Sequence, residues 1–171
     1  HLTNGGISRY KKFAYFLETI VEARKSGPKL NELLVNYAAQ VCVGLMSCEV
    51  AEGLMELRAQ TSDARWLIVS GGDQAELREV FSKRGLANLF DGGIYGSPDT
   101  KDEILGRELS GGNIQQPAIF LGDSKYDYQA ATQADLDFVF LRKWSEVFEA
   151  ERWVTDNKIS SKFSLVDCLN V

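Results

Sequence analysis

The chain is short of several things, and each shortage closes off a class of protein. Its cysteines are three, Cys42, Cys48 and Cys168, odd in number and scattered. They fit reduced core thiols in a cytoplasm better than disulfides or a metal site. No apolar run approaches the roughly 18 residues a membrane span requires. Positive charge is not in excess: the net charge of −5 gives no reason to expect nucleic acid as a partner. No signal peptide, internal repeat or low-complexity segment is visible. What remains is ordinary for a globular protein, 44% hydrophobic and 25% charged over 171 residues. That length fits one domain, or one domain with a small insertion.

Two characters alternate along the chain. Residues 1–61 read as helical. After a loop at His1–Ile7, Ser8 can cap a helix to about Lys25, with Phe13, Phe16, Leu17, Ile20 and Val21 on its apolar face. Gly27-Pro28 breaks it. A second helix is expected over about 29–47 and a third over about 49–60. From Arg65 the pattern changes to short apolar runs ending in tight turns. Trp66–Val69 runs into Ser70-Gly71-Gly72-Asp73, and a helix is expected over 74–84 with Gly85 as its terminator. A short extended piece follows near 90–97, then a helix from Lys101 to about Leu109, a strand at 118–121, a helix at 124–134, a strand at 137–141, a helix at 144–154 and a short last helix capped by Ser164. This β-α alternation is the signature of a doubly wound parallel sheet, and the fold class expected is α/β. Two packing units are expected, a helical one over 1–50 and an α/β core over 51–171.

The most informative stretch is Ala118-Ile119-Phe120-Leu121-Gly122-Asp123-Ser124-Lys125-Tyr126-Asp127. Four apolar residues run into Gly-Asp, which reads as a buried parallel strand ending in a sharp turn. Asp123 then lies at the carboxyl end of a strand, where open α/β sheets bind ligands. Asp127 follows on the first turn of the next helix, so the two carboxylates converge. Mg²⁺ takes oxygen ligands of this kind, a few from protein and the rest from water and phosphate. The plainer alternative is that Asp123 only caps the helix. Ser70 and Lys101 fall at two further tips on the same sheet edge. A hydroxyl beside free backbone N–H groups suits a phosphate oxygen, and a lysine supplies a point charge for the same anion. Each also has a plainer role, Ser70 as a helix cap and Lys101 as a solvated first-turn residue.

Taken together and in this order, Val69-Ser70-Gly71-Gly72, Ser97-Pro98-Asp99-Thr100-Lys101 and Gly122-Asp123-Ser124-Lys125-Tyr126-Asp127 resemble motifs II, III and IV of the haloacid dehalogenase (HAD) superfamily of phosphatases. The resemblance covers about residues 49–145. It implies a Rossmann-like core and a Mg²⁺-dependent phosphatase acting through an aspartyl-phosphate. Ser70 would hydrogen-bond the transferring phosphoryl group, with Gly71 and Gly72 contacting substrate. Lys101 would steady the phosphorylated nucleophile, and Asp123 and Asp127 would bind Mg²⁺ directly or through water. The helices of residues 1–50 resemble the α-helical cap that many members insert between motifs I and II, which makes His1, Asn4, Ser8 and Arg9 candidates for facing the substrate. For that loop the alternative is a capped turn with a surface arginine.

One departure matters. The family's motif I is Asp-x-Asp at the tip of the first strand, ahead of the cap, and its first Asp is the nucleophile. Here the sole Asp-x-Asp is Asp135-Leu136-Asp137, downstream of motif IV and leading into a strand rather than closing one. The family's first strand lies mid-sheet, so without it two inner strand edges would lack partners, at roughly 1–3 kcal/mol for each orphaned buried group. The expectation is therefore that the nucleophile lies upstream of His1 in a longer protein and that this chain alone is inactive. The alternative is a catalytically silent HAD-like binding or scaffold domain that has lost motif I. A receiver-like signalling domain fits less well, because of the helices and the order of the Ser, Lys and Asp motifs. The expected partner is a small phosphorylated substrate, with no nucleic acid and no membrane, in the cytoplasm. The phosphate ester and the oligomeric state are left open. In the full-length protein Lys101→Ala is expected to spare folding and to lower turnover by orders of magnitude.

Overall fold

The computed structural model describes residues 8–21 and 28–169. Expectations for His1 and Asn4, and for the helix end near Lys25, fall outside them. The helical part comes first. α1 (Arg9–Tyr15) continues into a π-helical turn at Phe16–Ile20, and α2 (Pro28–Ser47) is the longest element. Ser8 occupies the N-cap position of α1 but its side chain makes no capping bond. α3 (Leu54–Gln60) is shorter than the helix expected from residue 49. Gly53, at φ +82°, sits at its N-cap in a conformation open chiefly to glycine, so the helix cannot start earlier.

The α/β part then alternates strictly: β1 (Leu67–Asp73), α4 (Gln74–Lys83), β2 (Gly93–Ser97), α5 (Lys101–Ser110), β3 (Ile119–Gly122), α6 (Lys125–Gln133), β4 (Asp137–Leu141), α7 (Ala150–Asp156) and β5 (Ser160–Lys162). All strand pairings are parallel. The α/β class with a parallel, Rossmann-like arrangement is thus what the chain adopts. It comes as two half-sheets, β1–β2 and β3–β4–β5. Among the described residues β1 pairs with β2 alone and β3 with β4 alone, so the inner edge of each half-sheet carries no strand partner.

Further details depart from the sequence expectation, β5 among them. β1 runs on through Ser70–Asp73, because Ser97 pairs with Asp73 while Tyr95 pairs with Val69. Four positions of β1 thus span two of β2, and Ser70-Gly71-Gly72 bulges from the ladder. Gly96 makes this possible, since a Cβ there would stand 2.3 Å from the Gly72 carbonyl oxygen. The helix expected over 144–154 divides into a 3₁₀ turn at Arg142–Trp144, an irregular stretch, and α7. The last helix is a 3₁₀ turn at Val166–Cys168, preceded by Ser164, whose hydroxyl and N–H both donate to Asp167.

Two apolar clusters meet at Trp66. One gathers Leu57, Leu141 and Leu165, the other Leu77, Phe90 and Ile94. Ile104 of α5, Ala130 and Ala131 of α6, and Phe140 of β4 are fully buried. No described helix is long and apolar enough to cross a membrane. The three cysteines are free thiols.

Candidate active site

Three β-α connections open onto one cleft of about 940 Å³. Ser70 and Gly71 enter from β1, Asp99 to Asp102 from the β2–α5 turn, and Asp123 to Tyr126 from the tip of β3. Ser8 and Lys11 face it from the start of α1, and Trp144, Val147 and Phe148 from the segment after β4. That a parallel sheet delivers its strand tips to one edge explains the convergence of residues so distant in sequence.

The β3–α6 tip is built by hydrogen bonding. Ser124, rather than Asp123, is the N-cap of α6: its hydroxyl oxygen accepts from the Asp127 N–H at 3.1 Å. Asp127 answers with Oδ2, which accepts from Ser124 N–H at 3.1 Å, Ser124 Oγ–H at 2.7 Å and Asp123 N–H at 3.3 Å. This reciprocal capping box satisfies orphan donors of the helix start. It also folds Asp127 back over the strand end, where a Cβ on Gly122 would lie 2.4 Å from that of Asp127. Glycine before Asp123 is therefore a steric requirement.

Asp127 Oδ1 accepts from the ammonium of Lys101, and both side chains are buried. Lys101 is the first residue of α5, whose own capping box joins Thr100 and Glu103. Its ammonium also lies 5.9 Å from the ring centre of Phe120. So Lys101 reaches the carboxylate cluster as a buried cation. With its oxygens committed to Lys101 and Ser124, Asp127 does not line the cleft, whereas Asp123 does. Burial, and then the charge of Asp127, push the Asp123 carboxyl above the usual carboxylate range, with Lys101 pulling the other way. An excess of negative charge at an open carboxylate is the condition a cation relieves.

Ser70 Oγ accepts from the Gly72 N–H at 3.1 Å, which leaves the hydroxyl proton available to the cleft. Asp73, not Ser70, caps α4, accepting from Ala75 and Glu76 N–H. Gly71 lines the cleft and its carbonyl accepts from Ser97 Oγ at 2.8 Å; Gly72 lies behind. Arg9 is not at the cleft. Its guanidinium is buried in a two-bond pair with Glu76 on α4, at 3.0 and 2.5 Å, with Tyr37 of α2 5.2 Å from it. Neighbouring Tyr10 donates to Asp73 at 2.7 Å. Asn4 lies outside the described residues.

Sequence reasoning passed over Asp102 and Tyr126. Tyr126 donates to Asp102 Oδ2 at 2.8 Å, and burial together with this bond pushes its phenol up to about 12. Their positions, each one residue from a candidate site residue, were a usable signal. No cluster of three His, Cys, Asp or Glu suited to a metal occurs among the described residues. Of the two carboxylates expected from the sequence to hold Mg²⁺, Asp123 lines the cleft, while both oxygens of Asp127 already accept, Oδ1 from Lys101 and Oδ2 from Ser124. Asp135-Leu136-Asp137 stands at the opposite end of the sheet, where Asp137 begins β4 opposite Ile119, the first residue of β3.

No protein-family model matches the chain, and no curated protein matches it. Solved structures do. A HAD-superfamily hydrolase from Ehrlichia chaffeensis superposes with a TM-score of 0.56 at 18% identity, covering 96% of this chain and 87% of its own. A protein from Clostridium difficile, named provisionally as a phosphatase, superposes with a TM-score of 0.62 at 13% identity, covering 88% and 73%. Likeness at this identity is one of architecture, and the chain has a HAD-like α/β fold.

Proposed function

We propose that this protein is a HAD-type phosphomonoesterase, Mg²⁺-dependent, acting on a small phosphorylated metabolite through an aspartyl-phosphate. The observation that carries the reading is the delivery of Ser70, Lys101 and Asp123 to one cleft edge by three separate β-α connections. Ser70 would donate its hydroxyl proton to a phosphoryl oxygen, with Gly71 alongside. Lys101 would offset charge on the transferring group and hold Asp127 in place. Asp123 would be the direct protein ligand of Mg²⁺, and Asp127 would reach it through water. The ion, when bound, would neutralise the phosphate and the carboxylates that crowd it.

The nucleophile would come from a strand lying between β1 and β3. The bare inner edges of these two strands support that placement. An aspartate at the tip of such a strand, upstream of His1, would attack phosphorus and expel the alcohol. Water would then hydrolyse the acyl phosphate and release inorganic phosphate. The helices α1 and α2 would serve as the cap, with Ser8 and Lys11 presented to the substrate.

A second reading is favoured by one observation. The chain's Asp-x-Asp is at the wrong end of the sheet, so these residues alone form a HAD-like phosphate-binding domain without turnover. One comparison separates the two. Assayed with Mg²⁺ on small phosphate esters, this chain should be silent and an upstream-extended form active. Silence of both forms would leave the binding domain; equal activity of both would mean the nucleophile has been misplaced.

A further inference from the structure

We propose that the cleft selects phosphate esters whose organic part carries a flat aromatic ring, seated on a shelf made by Trp144, Val147 and Phe148. The inference rests on the phosphatase reading for the phosphate end and adds the class of the organic end.

Polar side chains line the cleft at the strand tips, and Trp144, Glu146, Val147 and Phe148 line it from the segment after β4. Ser70, Lys101 and Asp123 sit together, and a phosphoryl group would fill only a small part of 940 Å³. The remainder is bounded by the segment after β4. This segment is held by its backbone: Lys143 N–H donates to Phe163 C=O at 2.8 Å, Ser145 N–H to Arg142 C=O at 3.2 Å, and Val147 N–H to Ser145 Oγ at 3.1 Å. On this support Phe148 is 78% exposed and Trp144 39% exposed, both at the cleft. The next residue, Glu149, has φ +50° and ψ +43°, a left-handed conformation that a non-glycine residue avoids. An aromatic side chain left in water and a strained residue directly after it are two separate penalties. They coincide at the rim of the candidate site, where strain tends to be kept for function. Lys143 lies 5.8 Å from the centre of the Trp144 ring and braces it.

An aromatic shelf beside a phosphate subsite that carries the Ser70 hydroxyl and the Lys101 ammonium matches an amphipathic ligand with a charged end and a flat end. Rings gain from stacking beyond the area they bury, which a sugar phosphate or a glycerol phosphate does not. Rigid aromatic side chains also lose little freedom when a ring covers them.

Three non-hydrolysed or slowly turned over probes test this with the chain as it stands, in Mg²⁺: methylphosphonate, phenylphosphonate and adenosine 5′-monophosphate. Affinities are read by calorimetry and by quenching of tryptophan fluorescence, since Trp144 alone of the three tryptophans lines the cleft. At least one ring-bearing probe should bind about tenfold more tightly than methylphosphonate, as stacking of this size predicts. It should quench fluorescence, and Phe148→Ala should remove most of that advantage while Phe148→Tyr keeps it. Phe148 is too exposed for either change to unfold the protein. Equal affinity for all three probes, with binding lost in Ser70→Ala, would overturn the shelf and leave the phosphatase reading standing. Absence of binding by every probe would overturn the shelf in this chain, while the phosphatase reading stands or falls on the activity of the upstream-extended form. A ring advantage untouched by Phe148→Ala and Trp144→Ala would place the ring elsewhere and refute the shelf.

Discussion

The helical pair α1–α2 and the α/β part are held in place by different forces. In the α/β part apolar side chains from α5, α6 and β4 are fully buried. In the helical pair Leu17 is the one buried apolar residue among those described, while Tyr15, Ile20, Val35 and Val43 are exposed. What ties the pair to the rest is polar: Arg9 to Glu76, Tyr10 to Asp73, and Arg84 to the carbonyls of Leu45 and Cys48, both at 2.7 Å. Directional bonds set one docking geometry but contribute modestly to net stability, about 0.5–1.5 kcal/mol each for neutral pairs and 1.5–3 for charged ones. A unit docked in this way opens before the core does. The cap proposed above would require this behaviour.

The largest effects are expected in the α/β part. Lys101→Ala leaves Asp127 charged, buried and without its cation, and should cost about 3–5 kcal/mol. This revises the expectation that the substitution spares folding: Lys101 is 7% exposed and paired, not a solvated first-turn residue. The double variant Lys101→Met with Asp127→Asn should recover much of the loss in urea melts. Persistent loss in the double variant would trace the cost to packing rather than to the orphaned charge. Ile104→Ala, at a fully buried site, should cost about 2–5 kcal/mol and unfold both parts together.

Arg9→Ala tests the other side of the comparison. Glu76 loses a two-bond partner, at about 1–3 kcal/mol. The signature should be local: faster amide exchange across α1 and α2, with β3, β4 and α6 unchanged. Uniform acceleration through the sheet would mean that the two parts unfold as one, and the contrast drawn above would fail.

What the sequence made legible follows the same division. β4 and the β3 tip were readable because their signals are local, short apolar runs, one of them ending in Gly-Asp; the cap of α6, looked for at Asp123, is Ser124. The continuation of β1 through Gly71-Gly72 was not. Two glycines read as a turn, and only pairing with Ser97, a partner in another strand, keeps them in the ladder. β5, Ser160-Ser161-Lys162, carries no apolar pattern at all and exists by pairing with β4. Arg9 read as a surface or substrate-facing residue because its partner, Glu76, is 67 positions away. Lys101 was found through a motif, while its burial against Asp127 is a tertiary fact.

A smaller effect is expected at Asp123, with a sign that pH controls. Burial and the neighbouring Asp127 raise its pKa in the fold, so the folded state holds the proton more tightly than the unfolded chain. Below the unfolded value of about 3.9 the group costs the fold nothing. Between that value and the raised folded pKa stability falls as pH rises, because the unfolded chain ionises first, and above the folded pKa the loss stays constant. Asp123→Asn should therefore raise the metal-free Tm at pH 7, with a gain that shrinks toward pH 4, and should abolish calorimetric Mg²⁺ binding. A lower Tm at pH 7 would show that the ionised Asp123 is stabilising.

The smallest effect sharpens the comparison most. Val43 lies on α2 and is 71% exposed. From Leu33 to Ser47 this helix has no charged residue, so by composition alone Val43 would pass for core. The fold instead packs α2 through Tyr37, whose ring meets Phe13 edge-on at 5.2 Å, and through its C-terminal carbonyls on Arg84. A side chain already in water has no burial to lose, and lysine is a slightly better helix former than valine. Val43→Lys should thus change stability by no more than about 0.5 kcal/mol in either direction. Val154→Lys in α7, where the valine is buried, should be strongly destabilising by contrast. A cost above about 2 kcal/mol for Val43→Lys would mean that α2 buries this face in solution, and that the helical pair is held by apolar packing after all.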